Sequence, residues 1–172
     1  MPLTLLIGGA RSGKSALALR FAEDAEEVVF VATAEARDEE MAERIERHRR
    51  ERPSAWQVVE EPVTLREAIE AAPPNACVIV DCISMWVSNL LEAGWADEAV
   101  GAEAEKAARA AAERPGTSVA VSNEVGLGIV PATSLGRRYR DVLGRANATF
   151  AASADEALLV VAGRTLPLHA WA

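Results

Sequence analysis

The most constraining feature of this 172-residue chain is an eight-residue segment near its amino end, Gly8-Gly9-Ala10-Arg11-Ser12-Gly13-Lys14-Ser15. It fits the pattern G-x-x-x-x-G-K-[ST] at every fixed position. An apolar run at 3–7 precedes it, and a segment with helical spacing of apolar residues follows. A strand, a glycine-rich turn and a helix in that order form a loop whose backbone N–H groups converge on phosphate oxygens. The segment therefore predicts a phosphate-binding loop inside an α/β sheet.

Two side chains of this loop have direct chemical roles in nucleotide chemistry. Lys14 can place a full positive charge on the β- and γ-phosphates, and the Ser15 hydroxyl can ligate Mg²⁺. We expect this loop to bind the phosphates of a nucleotide, and we expect Lys14 to act in catalysis. The alternative is an incidental glycine-rich turn with no ligand.

The rest of the chain alternates short apolar runs with amphipathic segments. Strands are predicted at 3–7, 28–31, 57–59, 77–80, 118–121 and 157–161, with an edge partner at 165–169. Helices are predicted at 14–24, 38–50, 64–71, 84–91, 97–113 and 135–150. Buried strands that alternate with helices predict a mostly parallel sheet covered by helices on both faces. No repeat or composition break is present, so we expect a single domain over 1–172.

Asp81 follows the strongly apolar strand predicted at 77–80. A carboxylate at the carboxyl end of a buried parallel strand lies beside the phosphate loop in many nucleotide-binding folds, where it holds Mg²⁺ directly or through water. We expect Asp81, with Ser15, to form the magnesium site. The alternative is that Asp81 caps the helix that follows.

A basic segment stands out in this acidic chain. Residues 44–52 carry five arginines and two glutamates, a local charge of +3. Helical spacing places Met41, Ile45 and His48 on one face, so His48 should lean towards the body of the protein. A neutral imidazole can attack an α-phosphorus and form a phosphoramidate, and nearby guanidinium groups would neutralise charge on the phosphate. The alternative is a partly buried histidine on a solvated basic helix.

Composition excludes several classes of protein. The formal charge is −8, whereas general nucleic-acid binding usually needs a basic excess, so no nucleic-acid partner is expected. No apolar run reaches the length of a membrane span, and the amino end lacks the pattern of a secretory signal. We therefore expect a cytoplasmic protein without stable membrane insertion. Two cysteines, Cys77 and Cys82, do not make a disulfide framework.

With these motifs in place, nearly the whole chain resembles the bifunctional adenosylcobinamide kinase / adenosylcobinamide-phosphate guanylyltransferase family of cobalamin biosynthesis. The matching blocks are GGARSGKS at 8–15, VAT at 31–33, RIERHRRERPSAW at 44–56, VDCISMWVSNLL at 80–91, SNEVGLGIVP at 122–131 and GRRYRDVLGRAN at 136–147. The first block is common to many nucleotide-binding proteins. The histidine block and the SNEVGLGIVP block are far more specific, and their order and spacing match.

The resemblance implies a RecA-like P-loop fold, a homotrimer and a two-step reaction. In the first step, ATP or GTP phosphorylates the aminopropanol hydroxyl of the corrinoid substrate adenosylcobinamide. In the second, GMP passes from GTP through a histidine to adenosylcobinamide phosphate, giving adenosylcobinamide-GDP. The position that matches the guanylylated histidine is His48. The resemblance implies nucleotide contacts at Gly8, Gly9, Ala10, Arg11, Ser12, Gly13, Lys14, Ser15, Ala32, Thr33, Ala34, Arg49, Arg50, Glu51, Arg52, Glu60 and Asp81.

Two places depart from the family pattern, at Asn147-Ala148 and in the carboxyl-terminal segment RTLPLHAWA. Neither belongs to the nucleotide motifs, so the departures concern subunit packing or corrinoid contacts. Two other functions fit parts of the sequence. One is a P-loop kinase with a single activity on another small hydroxyl compound, and the other is a GTP-dependent binding module. The second lacks an Asn-Lys-x-Asp guanine motif.

Overall fold

A computed structural model describes residues 3–50 and 52–170 of the chain, and Glu51 lies outside the described residues. The strands are Leu3–Gly8 (β1), Val28–Ala32 (β2), Gln57–Glu60 (β3), Cys77–Asp81 (β4), Ser118–Asn123 (β5), Glu156–Val161 (β6) and Arg164–Pro167 (β7). The helices are Lys14–Phe21 (α1), Glu39–Arg50 (α2), Leu65–Ala71 (α3), Ile83–Glu92 (α4), Asp97–Glu113 (α5) and Ser134–Ser153 (α6).

The seven strands form one sheet in the order β3-β2-β4-β5-β1-β6-β7. All neighbouring strands are parallel except the terminal β6–β7 hairpin. The four central strands β2, β4, β5 and β1 are almost completely buried along their length. Their continuous apolar runs are what a sheet covered on both faces requires, because side chains on both sides of each strand leave water.

The two faces of the sheet are covered unequally. Helices α3, α4, α5 and α6 pack over one face, and their core includes the fully buried Trp86 and Phe150. Helix α1 packs over the other face, where Ala18 and Ala22 lie against strand residues such as Phe30. The expectation of a mostly parallel sheet with helices on both faces is confirmed. Among the described residues, no helix is both long and apolar enough to cross a membrane.

Predicted and observed elements differ mainly at their ends. Helix α1 ends at Phe21, three residues before the predicted end, in a turn closed by the Ala22 N–H. The helical spacing of apolar residues predicts Leu135 on the same buried face of α6 as Val142 and Phe150, but Leu135 is 58% exposed. It lies in the first turn of that helix, directly after an exposed loop, whereas Val142 and Leu143, about two turns later, are buried.

Gly116 provides a test of packing at the sheet end opposite the phosphate loop. A Cβ at this position would lie 2.4 Å from the Ala76 carbonyl oxygen, and the Gly116 N–H donates to the Pro74 carbonyl. Gly116→Ala should therefore lower the free energy of unfolding by about 2 kcal/mol, a typical cost of overpacking. Nucleotide affinity of the folded protein should not change. Denaturant unfolding and nucleotide titration measure both quantities.

Gly144→Ala is the matched control. Gly144 lies on the exposed side of α6 and has open space where its Cβ would be. Alanine should therefore raise the free energy of unfolding by up to about 1 kcal/mol, because glycine is a poor helix former. Equal stability changes of the same sign in both variants would contradict the packing described here.

Candidate active site

The site forms where the carboxyl ends of the parallel strands meet. The strand register places Glu60 of β3 beside Ala32 of β2, and Ala32 beside Asp81 of β4. Two strands further along, Gly8 of β1 lies beside Asn123 of β5. Because parallel strands end at a common edge, side chains far apart in sequence are brought to one surface.

Backbone geometry explains the two fixed glycines of the phosphate loop. Gly13 has a φ of 103°, in the left-handed region that side chains rarely adopt. A Cβ on Gly8 would lie 2.2 Å from the carbonyl oxygen of Val160 in the neighbouring strand β6. Only glycine fits either position without rearrangement, so the loop retains the sharp turn that directs its amides inwards.

Lys14 lies inside this turn rather than in solvent. Its side chain is buried, and Nζ donates to the carbonyl oxygens of Gly8 at 3.0 Å and Gly9 at 2.6 Å. These contacts fix the ammonium group at the centre of the loop. The loop therefore presents a buried cation together with the amino end of α1, both of which attract phosphate.

The two expected magnesium ligands lie next to each other. Ser15 Oγ is 3.4 Å from Asp81 Oδ2, although the residues are 66 positions apart in sequence. Asp81 does not cap α4, whose N-cap residue is Cys82. Within the described residues there is no group of three or more His, Cys, Asp and Glu side chains that could hold a metal ion. One hydroxyl and one carboxylate fit Mg²⁺, which commonly takes one or two protein oxygens and completes its shell with substrate phosphates and water.

His48 extends from α2 towards the same carboxylate. On this helix Met41, Ile45 and His48 are half-buried, and the other side chains that the structure describes there are exposed. The predicted inward face is therefore confirmed. His48 Nδ1 lies 3.9 Å from Asp81 Oδ2, which places the imidazole beside the expected magnesium site.

Two adjoining cavities open at this edge of the sheet. The first, of about 430 Å³, is bounded by residues 10–16 together with acidic and basic side chains of α2, and we call it the phosphate-loop cavity. The second, of about 720 Å³, is bounded by residues that include Ala32, Ala34, Arg49 and Glu60, and we call it the Glu60 cavity. Four residues line both cavities: His48, Asp81, Cys82 and Asn123. The imidazole therefore stands at the boundary between them.

Polar and apolar groups alternate around the Glu60 cavity. Arg49 Nη2 lies 2.5 Å from Glu60 Oε1, so the two side chains form an ion pair at its rim. The Arg52 guanidinium stacks 3.7 Å from the centre of the Phe30 ring. Met41 and Met85 add apolar surface. A flat, partly polar molecule such as a purine base or part of a larger ring system would find matching groups here.

The structure brings most of the expected nucleotide-contacting residues to these cavities, but not all. Gly8 and Gly9 shape the loop without lining either cavity, and Arg50 is 78% exposed in an ion pair with Glu46. Thr33 is completely buried and lines neither cavity. The expected contact at Glu51 lies outside the described residues.

Thr33, one of the expected nucleotide contacts, forms hydrogen bonds inside the protein. Its hydroxyl donates to the Cys82 carbonyl at 2.7 Å and accepts from the Cys82 N–H at 2.8 Å. Asn89 Nδ2 donates in turn to the Thr33 carbonyl at 2.7 Å and to the Pro62 carbonyl at 3.0 Å. These bonds link the segments after β2, β3 and β4 and fix the residue that follows Asp81. Thr33 and Asn89 therefore position the site rather than line it.

A second set of polar contacts lies at the end of β5, where Asn123 reaches the carboxyl edge of the sheet. Asn123 Nδ2 donates to Ser84 Oγ at 2.7 Å, and Ser84 Oγ lies 3.0 Å from Cys82 Sγ. Tyr139 Oη donates to the Ser84 carbonyl at 3.2 Å. Arg47 also lines the phosphate-loop cavity. The sequence indicates the place of Asn123 only through its position, because Asn123, like Asp81, is the last residue of a buried strand.

Burial controls the ionisation of two side chains here. It raises the pKa of the Cys82 thiol to about 11, and the negative charge of Asp81 adds to this effect. Burial also raises the pKa of the Tyr139 phenol to about 12. Both groups are therefore neutral at physiological pH. Neither a thiolate nucleophile nor a tyrosinate base is available beside His48 under those conditions.

Comparison with known proteins gives a consistent result. Residues 4–168 match the sequence model of the family described as cobinamide kinase / cobinamide phosphate guanyltransferase. The chain is 42% identical over 166 residues to the bifunctional adenosylcobalamin biosynthesis protein CobP of Pseudomonas aeruginosa, a match that covers 95% of each chain. It is 41% identical over 174 residues to the protein CobU of Escherichia coli K12, which covers 94% of this chain and 96% of that one.

Solved structures agree with the expected fold. A prototypical ATPase from the type III secretion system of pathogenic bacteria superposes with a TM-score of 0.53 at 12% identity, covering 92% of this chain and 50% of the ATPase chain. At this identity the likeness concerns the fold alone. It confirms the expected RecA-like P-loop architecture.

Tyr139 is the only tyrosine of the chain, so its ionisation can be followed directly by ultraviolet absorbance. We expect the folded protein to form tyrosinate near pH 12, whereas the unfolded chain should do so near the ordinary value of about 10. Because the folded-state pKa is raised, the stabilisation is complete below about pH 10 and is lost as the pH rises towards 12. Tyr139→Phe should abolish the absorbance change. Ionisation of the folded protein near pH 10 would contradict the buried environment.

Proposed function

The chain belongs to the cobinamide kinase / cobinamide phosphate guanyltransferase family, and from this premise we propose how its site performs two transfer reactions. It phosphorylates adenosylcobinamide with ATP or GTP. It then moves GMP from GTP to adenosylcobinamide phosphate through a guanylyl group on His48, giving adenosylcobinamide-GDP. The observation that carries the proposal is the position of His48 at the boundary between the phosphate-loop cavity and the Glu60 cavity.

The phosphoryl transfer uses the phosphate-loop cavity. The loop amides and the buried Lys14 ammonium hold the β- and γ-phosphates, so the γ-phosphorus can align with the attacking hydroxyl of the corrinoid side chain. Ser15 and Asp81 would hold Mg²⁺, which when bound neutralises charge on the phosphate oxygens. Lys14 stabilises negative charge on the leaving nucleoside diphosphate, and this electrostatic effect lowers the barrier.

The guanylyl transfer uses His48. A neutral imidazole nitrogen attacks the α-phosphorus of GTP, a P–N bond forms, and the bond to the pyrophosphate oxygen breaks. Pyrophosphate leaves from the phosphate loop, which already binds such groups. A phosphate oxygen of adenosylcobinamide phosphate then attacks the same phosphorus, the P–N bond breaks, and the imidazole is regenerated. Arg49 and Arg52, on the Glu60 side of the histidine, supply positive charge for these steps.

The nucleotide base fits the Glu60 cavity. Glu60 Oε1 is paired with Arg49, and the second carboxylate oxygen can accept from N–H groups of guanine. Ala32 and Ala34, at the end of β2, provide small side chains that let a flat ring approach the backbone. We propose these residues, with Arg49 and Arg52, as the nucleoside contacts. Thr33 supports the site through its hydrogen bonds inside the protein, and Arg50 contributes positive charge from a distance.

The two reactions take place in one site but act on different phosphorus atoms of the nucleoside triphosphate. A triphosphate bound in one position cannot present both its γ- and its α-phosphorus in the same way to different attacking groups. Helix α2 is the element suited to adjust, because none of the side chains that the structure describes on it is fully buried. We propose that α2 or the nucleotide shifts between the two steps.

Assembly as a homotrimer is the remaining part of the proposal. The loop between β5 and α6 exposes Leu127 at 86%, Ile129 at 97% and Val130 at 62%. Exposed apolar side chains that are contiguous in sequence commonly mark an interface. A contact between copies of the chain would remove this surface from water and would place a loop that starts at the active site next to a neighbouring subunit.

A single-activity kinase and a GTP-dependent binding module are the competing functions, and intact mass spectrometry separates them from the proposal. After incubation with GTP and Mg²⁺, the protein should gain the mass of one guanylyl group, and acid should remove it because a P–N bond is acid-labile. His48→Asn should abolish the gain, because the nucleophile is absent. His169→Asn is the control, since His169 is the only other histidine and is exposed. A gain retained in His48→Asn, or absent from the unaltered chain, would refute the covalent route.

A further inference from the structure

Asn123 is a polar residue that borders both cavities, and the two reactions have assigned it no role. It ends β5, the strand that lies between β1 with the phosphate loop and β4 with Asp81. Its register partner is Gly8, and the next residue, Glu124, donates its N–H to the Gly8 carbonyl at 3.0 Å. The end of β5 is thus fixed to the base of the phosphate loop.

The side chain of Asn123 is held in one orientation. Its Nδ2 donates to Oγ of the completely buried Ser84, and its main-chain carbonyl accepts from Asn147 Nδ2 at 3.1 Å. Within the described ranges 3–50 and 52–170, no hydrogen bond uses Asn123 Oδ1. The amide nitrogen is therefore committed to the protein interior. The amide oxygen remains as an acceptor at the border of the two cavities.

An acceptor at this border meets a need of the kinase step. The attacking hydroxyl must point a lone pair at the γ-phosphorus, and a fixed acceptor achieves this by holding the hydroxyl hydrogen on the other side of the oxygen. Asp81 is nearby, but its Oδ2 already faces Ser15 and His48. A neutral amide also avoids the repulsion that a second carboxylate would exert on the triphosphate.

We propose that Asn123 orients the substrate hydroxyl for phosphorylation, an inference that rests on the proposed function. Oδ1 accepts a hydrogen bond from the hydroxyl. The hydroxyl oxygen then bonds to the γ-phosphorus, the bond from that phosphorus to the bridging oxygen breaks, and the nucleoside diphosphate leaves. The hydroxyl proton passes to solvent, because an amide oxygen is too weak a base to keep it. Ser84 is a positioning residue in this scheme, since it acts through Asn123.

The test compares two activities of the same variant. Asn123→Ala should lower kcat for adenosylcobinamide phosphorylation by about 10- to 100-fold, the scale of a lost orienting contact. The KM for the nucleotide should change less than about twofold. Formation of the guanylyl adduct from GTP alone involves no acceptor hydroxyl, so its rate should also stay within about twofold.

Ser84→Ala and the double variant sharpen the test. Ser84→Ala keeps the acceptor oxygen of Asn123 but removes the hydrogen bond that holds Asn123 Nδ2. It should therefore lower kcat less than Asn123→Ala does. If Ser84 acts only through Asn123, adding Ser84→Ala to Asn123→Ala should have no further effect on kcat. Ser118→Ala is the matched control, because Ser118 is buried at the opposite end of the same strand and lines neither cavity. Its kcat should be unchanged.

The outcomes that overturn the proposal are specific. Unchanged kcat in Asn123→Ala would show that the oxygen orients nothing. If phosphorylation and adduct formation fell by the same factor, Asn123 would only support the nucleotide site. A variant that does not fold would also lose both activities together. Asn123→Leu, which keeps the approximate shape without polar atoms, must reproduce the selective loss. If the unaltered chain neither phosphorylates adenosylcobinamide nor forms the adduct, the proposed function itself is wrong.

Discussion

The alignment of parallel strands at one edge of the sheet is the constraint on which the site depends. No helix could bring Lys14, Asp81, Glu60 and Asn123 together, because they come from four segments spread over most of the chain. The hydrogen-bonded register of β1, β2, β3, β4 and β5 does so and fixes their spacing to the width of a strand. Buried apolar side chains on both faces keep that register, since a slip would expose them. The chemistry at the edge therefore depends directly on the packing of the core.

Polar side chains beneath the edge then make the arrangement rigid. Thr33 ties the end of β2 to the residue after Asp81, and Ser84 ties the start of α4 to the end of β5. Each of these bonds is partly buried, and breaking it would leave a polar group unpaired there at a cost, so each resists displacement. In contrast, α2 carries His48 on a helix with only partial burial. A rigid phosphate site beside a more loosely packed nucleophile suits an enzyme that must present two phosphorus atoms in turn.

The sequence predicted the fold and indicated which residues meet at the edge of the sheet, because the signals for both are local. Strand and helix patterns located the main elements, and the fixed glycines, Lys14 and Ser15 occupy eight consecutive residues. The inward face of α2 followed from helical spacing alone. The hydrogen bonds of Thr33 could not be predicted because its partner lies 49 residues away, and the closeness of Asn123 to the phosphate loop could not be predicted because it depends on which strand lies beside β1. Such contacts depend on the order of the strands in the sheet, which cannot be read directly from the amino-acid sequence. The exposure of Leu135 has the same origin, since helical periodicity does not show where the core ends.

The central claim is that His48 can reach the α-phosphorus of a triphosphate held by the phosphate loop. A crystal structure of the chain with Mg²⁺ and a GTP analogue whose α–β bridge cannot be cleaved tests it most directly. The account predicts β- and γ-phosphates on the loop around Lys14 and an imidazole nitrogen of His48 within about 3.5 Å of the α-phosphorus, opposite the bridging group. An α-phosphorus beyond the reach of this imidazole in every subunit and every conformation observed would contradict it.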